Sequence, residues 1–322
     1  MVYQDLLESY FFYRRLRPRS EQSYRGAIQK MQKKLLELEG IYTPNEVNIK
    51  LLITWRNHEL DNGLSPISWN SYCRHLKAIF NHGIEQGFVS WSENYFSKML
   101  LTEPKKRKKT LADEQICAII DLFNILQTQE SSGDLSGRIH PVWFWRTVFE
   151  TFYYTGMRRN QLLHLTVEDI NLTQGVIYLE LDGSKTHSEN TVPICSALNP
   201  WLQLIIKRAN SRHFRYDDQL FNVTRFGEGR RYKYDYMNDS NISNCYRQLS
   251  ARLEFMVSPH RFRHTLGTKL MRQGASANLH LVKALLGHSD LRTTLEYVEP
   301  NLDDIRNMLD ALPNQGRVFK YF

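Results

Sequence analysis

Apolar residues in the first hundred positions recur with the period of a helix. Tyr3, Leu6, Leu7, Tyr10 and Phe11 keep the i, i+3, i+4, i+7, i+8 spacing that gathers side chains on one face. After Pro18, Ser20 can cap a second helix that carries Tyr24, Ile28, Met31, Leu35 and Leu38 and stops at Gly40. Asn48 can cap a third, with Leu51, Leu52 and Trp55 inward, which ends near Asn62 and Gly63. Ser65 and Pro66 supply the cap and first position of a fourth. It buries Tyr72, Leu76, Ile79, Phe80 and Ile84 and ends at Gly87.

Past residue 110 two periods mix. Thr110 can cap a helix through Ile116, Ile119, Ile120 and Phe123, and Val142 to about Tyr154 reads as a helix of large apolar residues. Thr128 to Pro141 between them is polar and rich in Gly and Ser, so a surface loop is expected. The runs after Gly175 and from Thr191 to Cys195 alternate like strands around a segment with the turn chemistry of a hairpin. From Asn199 onward the pattern is mostly helical. The expected fold class is therefore mainly α, of the α+β kind, in two domains. Residues 1–102 form an N-terminal helical domain, and residues 110–322 form a C-terminal domain of helices with a small antiparallel sheet.

Charge sharpens that division. Residues 103–109, EPKKRKK, set five basic residues in a row after a proline, a run that repels itself and reads as an extended linker. The net charge is +8, and residues 1–109 hold 18 Lys and Arg against 11 Asp and Glu. The remainder is close to neutral. A basic first third suits a polyanionic partner, since Lys and Arg that neutralise phosphates release counterions, and it suits a solvated surface equally well. Every apolar run is broken before the ~20 residues that span a bilayer, and the first residues lack the pattern of a signal peptide. Cys73, Cys117, Cys195 and Cys245 are scattered, which indicates reduced thiols in a cytoplasm rather than disulfides or a zinc site.

Four segments carry candidate chemistry. TGMRRNQLLHLTVEDI, residues 155–170, uses Gly156 to turn into a helix start bearing Arg158. GSKTHSENTVP puts Lys185 at a hairpin tip. SPHRFRHTLGTKLMRQG opens a helix at Ser258 and Pro259, with His260 and Arg263 three apart on one side. LLGHSDLRTTLEYVEP holds His288 nine residues before Tyr297. Any one of these is an ordinary surface feature; their order along the chain is the information.

Together the segments resemble the tyrosine recombinase (phage-type integrase) family, with its ordered Arg, Lys, His-x-x-Arg, Leu-Gly-His and Tyr. The likeness covers residues 110 to 300 by motif and the helical first domain by architecture only. It implies a site-specific DNA recombinase that cuts and rejoins DNA through a 3′-phosphotyrosyl link, with Tyr297 as the nucleophile. Arg158 and Arg263 would clamp the nonbridging phosphate oxygens, as guanidinium forks charged at any working pH can. His260 would take the proton from the Tyr297 phenol, Lys185 would protonate the departing 5′-oxygen, and His288 would hold the phosphate in line. The resemblance calls for no cofactor, since the phosphotyrosine conserves the bond energy and Arg and Lys supply the positive charge, so neither ATP nor a metal is needed.

The same resemblance implies double-stranded DNA as partner, clamped between the two domains and the basic linker. It also implies a homotetramer on DNA, joined through an amphipathic C-terminal tail with Ile305, Met308, Leu309 and Leu312 at helical spacing. Packing of that tail on its own domain is the alternative. An accessory or directionality protein is a further expected partner, and no membrane is involved. Arg74 and Lys77 are candidate base readers on an exposed helix face, while His164, His187 and His264 have no assigned role. The sequence departs from the family at Gln161, where an acidic residue commonly stands. Two other readings stay open: a topoisomerase or telomere resolvase with the same chemistry, and a DNA-binding regulator on this fold that does not cut.

Overall fold

The computed structural model describes residues 2–104, 110–133, 139–179, 190–227, 236–272, 278–287 and 294–295. The chain divides into two compact units, Met1–Arg107 and Lys108–Phe322.

The first unit carries four α-helices, α1 (Tyr3–Tyr13), α2 (Pro18–Glu39), α3 (Ile49–Asp61) and α4 (Pro66–Glu85), with short 3-10 turns at Pro44–Glu46 and Tyr95–Lys98. Their ends follow the polar punctuation of the sequence. Asn48 Oδ1 accepts from the Leu51 N–H at 3.0 Å, and Ser65 Oγ from that of Ser68 at 3.2 Å. Ser20 is not a cap: Pro18 takes the first helical position and Arg17 precedes it. Proline suits that place, because its missing N–H would have had no partner there. Trp55 and Trp69 meet edge to face at the centre, with ring centroids 4.8 Å apart. The chain after α4 is held by side-chain amides. Asn70 donates to Leu101 O at 2.7 Å and accepts from its N–H at 2.8 Å, while Asn94 donates to Lys77 O at 2.8 Å. Arg74 is ion-paired with Glu103.

The second unit is built around α6 (Val142–Thr155), which is buried on nearly every side through Phe144, Val148, Phe149 and Phe152. Each such side chain contributes about 1.5–3 kcal/mol when taken fully out of water. The helix α5 (Asp113–Ser131) packs on it, as do α8 (Asn199–Ser211) and α11 (Pro259–Arg272). Thr110 does not cap α5; Ala112 does, its N–H donating to Gln115 Oε1 at 3.1 Å. The helix also runs on through Thr128 into the stretch expected to be loop. Three short strands, β1 (Ile170–Asn171), β2 (Val176–Leu179) and β3 (Asn190–Pro193), form an antiparallel sheet in that order. Ile177 faces Val192 across β2 and β3 and both are buried, whereas Tyr178 and Thr191, the next pair, are exposed. The other helices among the described residues of the unit are α7 (Arg159–His164), α9 (Val223–Phe226), α10 (Asp239–Leu253) and α12 (Asn278–Leu286). Among the described residues no helix is long and apolar enough to cross a membrane. The four cysteines are free.

Candidate active site

The site begins where α6 stops. Thr147, Thr151 and Thr155 each donate a hydroxyl to the carbonyl one turn back, and Thr155 Oγ1 also accepts from the Met157 N–H at 3.2 Å. Between them Gly156 turns the chain at φ +60°. Only glycine serves here: a Cβ would stand 2.9 Å from Leu286 and 3.1 Å from Leu266, in a backbone region that side chains disfavour. The turn delivers Arg158. That residue is not inside a helix but extended, at φ −76° and ψ 152°, as the residue before α7.

Gln161 explains how Arg158 is held. It is 4% exposed, and its Oε1 accepts from the Arg158 N–H at 2.7 Å. A capping bond of this kind needs an oxygen, which an amide supplies as well as a carboxylate. The departure from an acidic residue therefore leaves the cap intact and removes only its charge. Arg159 next door turns away to α10, pairing with Asp239 at 3.2 Å and Ser243 Oγ at 2.9 Å.

Arg263 is the second arginine. From α11 it reaches Gly156 O with Nη1 at 2.8 Å and Leu286 O with Nη2 at 2.5 Å, and it is 4% exposed. Arg158 Nη2 contacts Gly287 O at 3.4 Å. Both guanidinium groups thus gather at the carbonyl end of α12, where the helix dipole favours positive charge. Asn190, at the start of β3, adds a third hold, donating to Leu285 O at 3.3 Å. Nothing in the sequence singled Asn190 out, because a turn-edge asparagine has many ordinary uses.

His260 lies one turn before Arg263 on α11 and is exposed; its Nε2 stands 2.8 Å from that of His264. The far end of α11 anchors the start of the unit. Leu111 donates its N–H to Thr265 Oγ1 at 2.9 Å, and Lys269 pairs with Asp113. Arg158 and Arg263 are therefore in one neighbourhood, and His260 stands one turn along α11 from Arg263. Lys185, His288 and Tyr297 lie outside the described residues, as do residues 105–109 of the basic segment and the tail. His288 follows Gly287 directly in sequence.

Residues 122–303 match the phage integrase family. A Pseudomonas aeruginosa protein carrying the provisional name tyrosine recombinase XerC is 38% identical over 313 residues, which is 97% of this chain and 72% of that protein. A Pseudomonas syringae protein with the same provisional name is 35% identical over 321 residues, 100% of this chain and 66% of the relative. The chain thus spans about two thirds to three quarters of their length. The tyrosine recombinase XerD of Staphylococcus epidermidis is 25% identical over 89% of each chain. Among solved structures, the Tn1549 transposon integrase in complex with circular intermediate DNA aligns at TM-score 0.71 and 20% identity, covering 96% of this chain and 98% of that one. A lambda integrase dimer bound to a core site aligns at 0.64 and 17%, covering 93% and 77%. At those identities the likeness establishes the fold.

The class defined by fold and relatives is that of the site-specific DNA-recombining enzymes. The chain belongs to the phage integrase family, the tyrosine recombinases.

Proposed function

We propose that this chain cuts and rejoins duplex DNA at short specific sites, with Tyr297 as nucleophile and Arg158, Arg263, His260, His288 and Lys185 acting on the phosphate. The observation that carries the reading is the gathering of Arg158 at the Gly287 carbonyl and Arg263 at that of Leu286, within two residues of His288. In-line attack by the Tyr297 oxygen forms an O–P bond, breaks the bond from phosphorus to the 5′-oxygen, and puts extra charge on the nonbridging oxygens. Two guanidinium forks meet that charge bidentately. The phenol proton passes to His260, and the departing 5′-oxygen takes a proton from Lys185. A 5′-hydroxyl of another strand then reverses the steps and completes the exchange.

Residues 1–102 take the role of a DNA-gripping domain, residues 103–109 that of a linker, and residues 110–322 that of the catalytic domain. The basic balance of the first third and the division near residue 107 support this reading. The Tn1549 and lambda integrases were solved on DNA. By the same reading, the working form is a tetramer on DNA in the cytoplasm, with the tail beyond Tyr297 docked on a neighbouring protomer.

The test is a covalent trap. Wild type and Tyr297→Phe are incubated with DNA from the flanks of the protein's own gene, without metal, and quenched in SDS. A protein–DNA adduct with wild type alone is expected, and the trapped ends identify the site. Both proteins binding that DNA with no adduct from either would point to the regulator that does not cut. Relaxation of supercoiled DNA without site preference would point to a topoisomerase.

A further inference from the structure

The positive charge of the first third of the chain is not spread over it. Four of the six residues 14–19 are arginine and none is acidic. With this run and residues 105–109 set aside, the other residues up to 109 hold nine Lys and Arg against 11 Asp and Glu. Several of those nine are already engaged, Lys34 with Glu37, Arg74 with Glu103 and Lys98 with Glu93. Apart from the basic segment, the excess of positive charge therefore lies at the elbow between α1 and α2. The elbow is shaped to display it. Phe11 and Leu16 pack on the core of the unit, and Pro18 fixes the start of α2. Between these anchors Phe12 is 87% and Tyr13 61% exposed, with ring centroids 5.7 Å apart. Arg14, Arg15, Arg17 and Arg19 are exposed as well.

We propose that this elbow is a backbone contact for duplex DNA, with Arg14, Arg15, Arg17 and Arg19 along the phosphates of one strand and Phe12 and Tyr13 against its sugars. The proposal rests on the reading of residues 1–102 as a DNA-gripping domain and says where the grip lies. Two neighbouring rings left in water forgo the gain of burial. Arg17 and Arg19 flank the first position of α2, the end at which a helix dipole favours negative charge. A partner that is anionic and also offers apolar surface relieves both costs. Each DNA strand presents one phosphate per about 3.4 Å of axis, a linear array that a linear run of arginines matches, with deoxyribose faces between the charges. Contacts of this kind position the duplex and carry no base information. The elbow therefore adds affinity for every sequence and leaves the choice of site to other residues.

Binding of the full chain to a duplex of scrambled sequence, measured over a range of salt, tests the charge. The slope of log affinity against log salt is about 0.9 per phosphate contact, so Arg14→Gln with Arg15→Gln is expected to flatten it by about 1.8. Lys50→Gln with Lys98→Gln removes the same charge from exposed positions elsewhere in the unit and is expected to leave the slope as it is. Phe12→Ser with Tyr13→Ser is expected to lower affinity equally at every salt concentration, as the loss of an uncharged contact does. An unchanged slope in the arginine pair overturns the proposal. Equal flattening by both pairs does so too, since net charge rather than place would then be the cause. Wild-type binding by the ring pair overturns the position given to the rings. Photo-crosslinking separates the elbow from the domain. Phe12, Tyr42 and Ile53, all exposed, are replaced one at a time by p-benzoylphenylalanine. Tyr42 lies past the far end of α2, a helix of 22 residues and so about 33 Å long. A DNA crosslink from position 12 is expected. Crosslinks from position 42 or 53 and none from 12 overturn the elbow and leave the gripping domain standing. No crosslink from any of the three, with the covalent trap still yielding adduct, overturns the gripping reading along with the elbow.

Discussion

Asn70 in the N-terminal unit and Arg263 in the C-terminal unit solve one architectural problem with different chemistry. They are 3% and 4% exposed, and each ties a distant stretch of backbone to its helix. Asn70 does so with a neutral amide, gripping both polar groups of Leu101. Arg263 does so with a full charge, gripping the carbonyls of Gly156 and Leu286. Burying a satisfied amide costs little, whereas burying a guanidinium carries a penalty of several kcal/mol. An amide would serve at α12 too, as Asn190 does on Leu285. The charge at position 263 is more than those two carbonyls require, and the role proposed for it at the phosphate would use it.

The strongest way to break this comparison is Arg263→Gln, which keeps donors for a carbonyl and removes the charge. Adduct formation is expected to fall at least about 100-fold, as when a transition-state donor is lost, with DNA binding retained in a gel shift. A variant that cleaves within tenfold of wild type would make Arg263 merely architectural. Next in size is Asn70→Ala, which strands both polar groups of Leu101. The N-terminal unit is expected to lose about 2–3 kcal/mol in urea unfolding followed by circular dichroism. The second unit's transition should stay where it was.

Gln161→Leu sharpens the picture on the other side. It leaves the Arg158 N–H without its acceptor, and about 1–2 kcal/mol of stability should go from the C-terminal unit. Gln161→Glu keeps the bond and should lie within about 1 kcal/mol of wild type. The two variants separate the oxygen from its charge. If both unfold at the wild-type midpoint, the cap is not what holds Arg158.

The smallest expected effect is in pH. Burial, the main cause for both, holds His75 and His82 below the usual 6.5. Their neutral forms are favoured in the fold, so their contribution is complete above 6.5 and drains away as pH falls through the lowered values. Glu150 runs the other way. Burial raises its carboxyl above 4.5 against the pull of Arg146, so its contribution is complete below 4.5 and is lost as pH rises through the raised value. Acidification from about pH 7 to about pH 5 should therefore lower the melting midpoint of the first unit more than that of the second. A reversed order in calorimetry would show that other groups dominate.

How much of this the sequence contained differs between the units. The four N-terminal helices were legible because their apolar residues keep one period and Asn48 and Ser65 stand at true helix starts. The caps assigned to Ser20 and Thr110 failed because α2 already begins at Pro18, and because Gln115 takes the Ala112 N–H at the start of α5. Strand β1 is two residues long, too short for alternation to register. In the site, the motif order singled out Arg158, His260 and Arg263, but not what holds them. Gln161 looked like a defect, since a substitution within a motif signals lost charge and says nothing of a bond to backbone. Asn190 gave no signal, because its hold on Leu285 depends on two elements meeting in space, which periodicity cannot report.

The bond from Leu111 to Thr265 bears on where this protein can be divided. Secondary structure alone suggests a cut at Asp113, the first residue of α5, but a fragment beginning there lacks both the buried Leu111 side chain and the N–H that meets Thr265, two residues after Arg263. The helix that carries His260 and Arg263 would keep its sequence and lose part of its footing. A fragment meant for crystallisation or for fusion to another DNA-reading module should therefore begin no later than Thr110, retaining a few residues that belong to no helix and yet complete one.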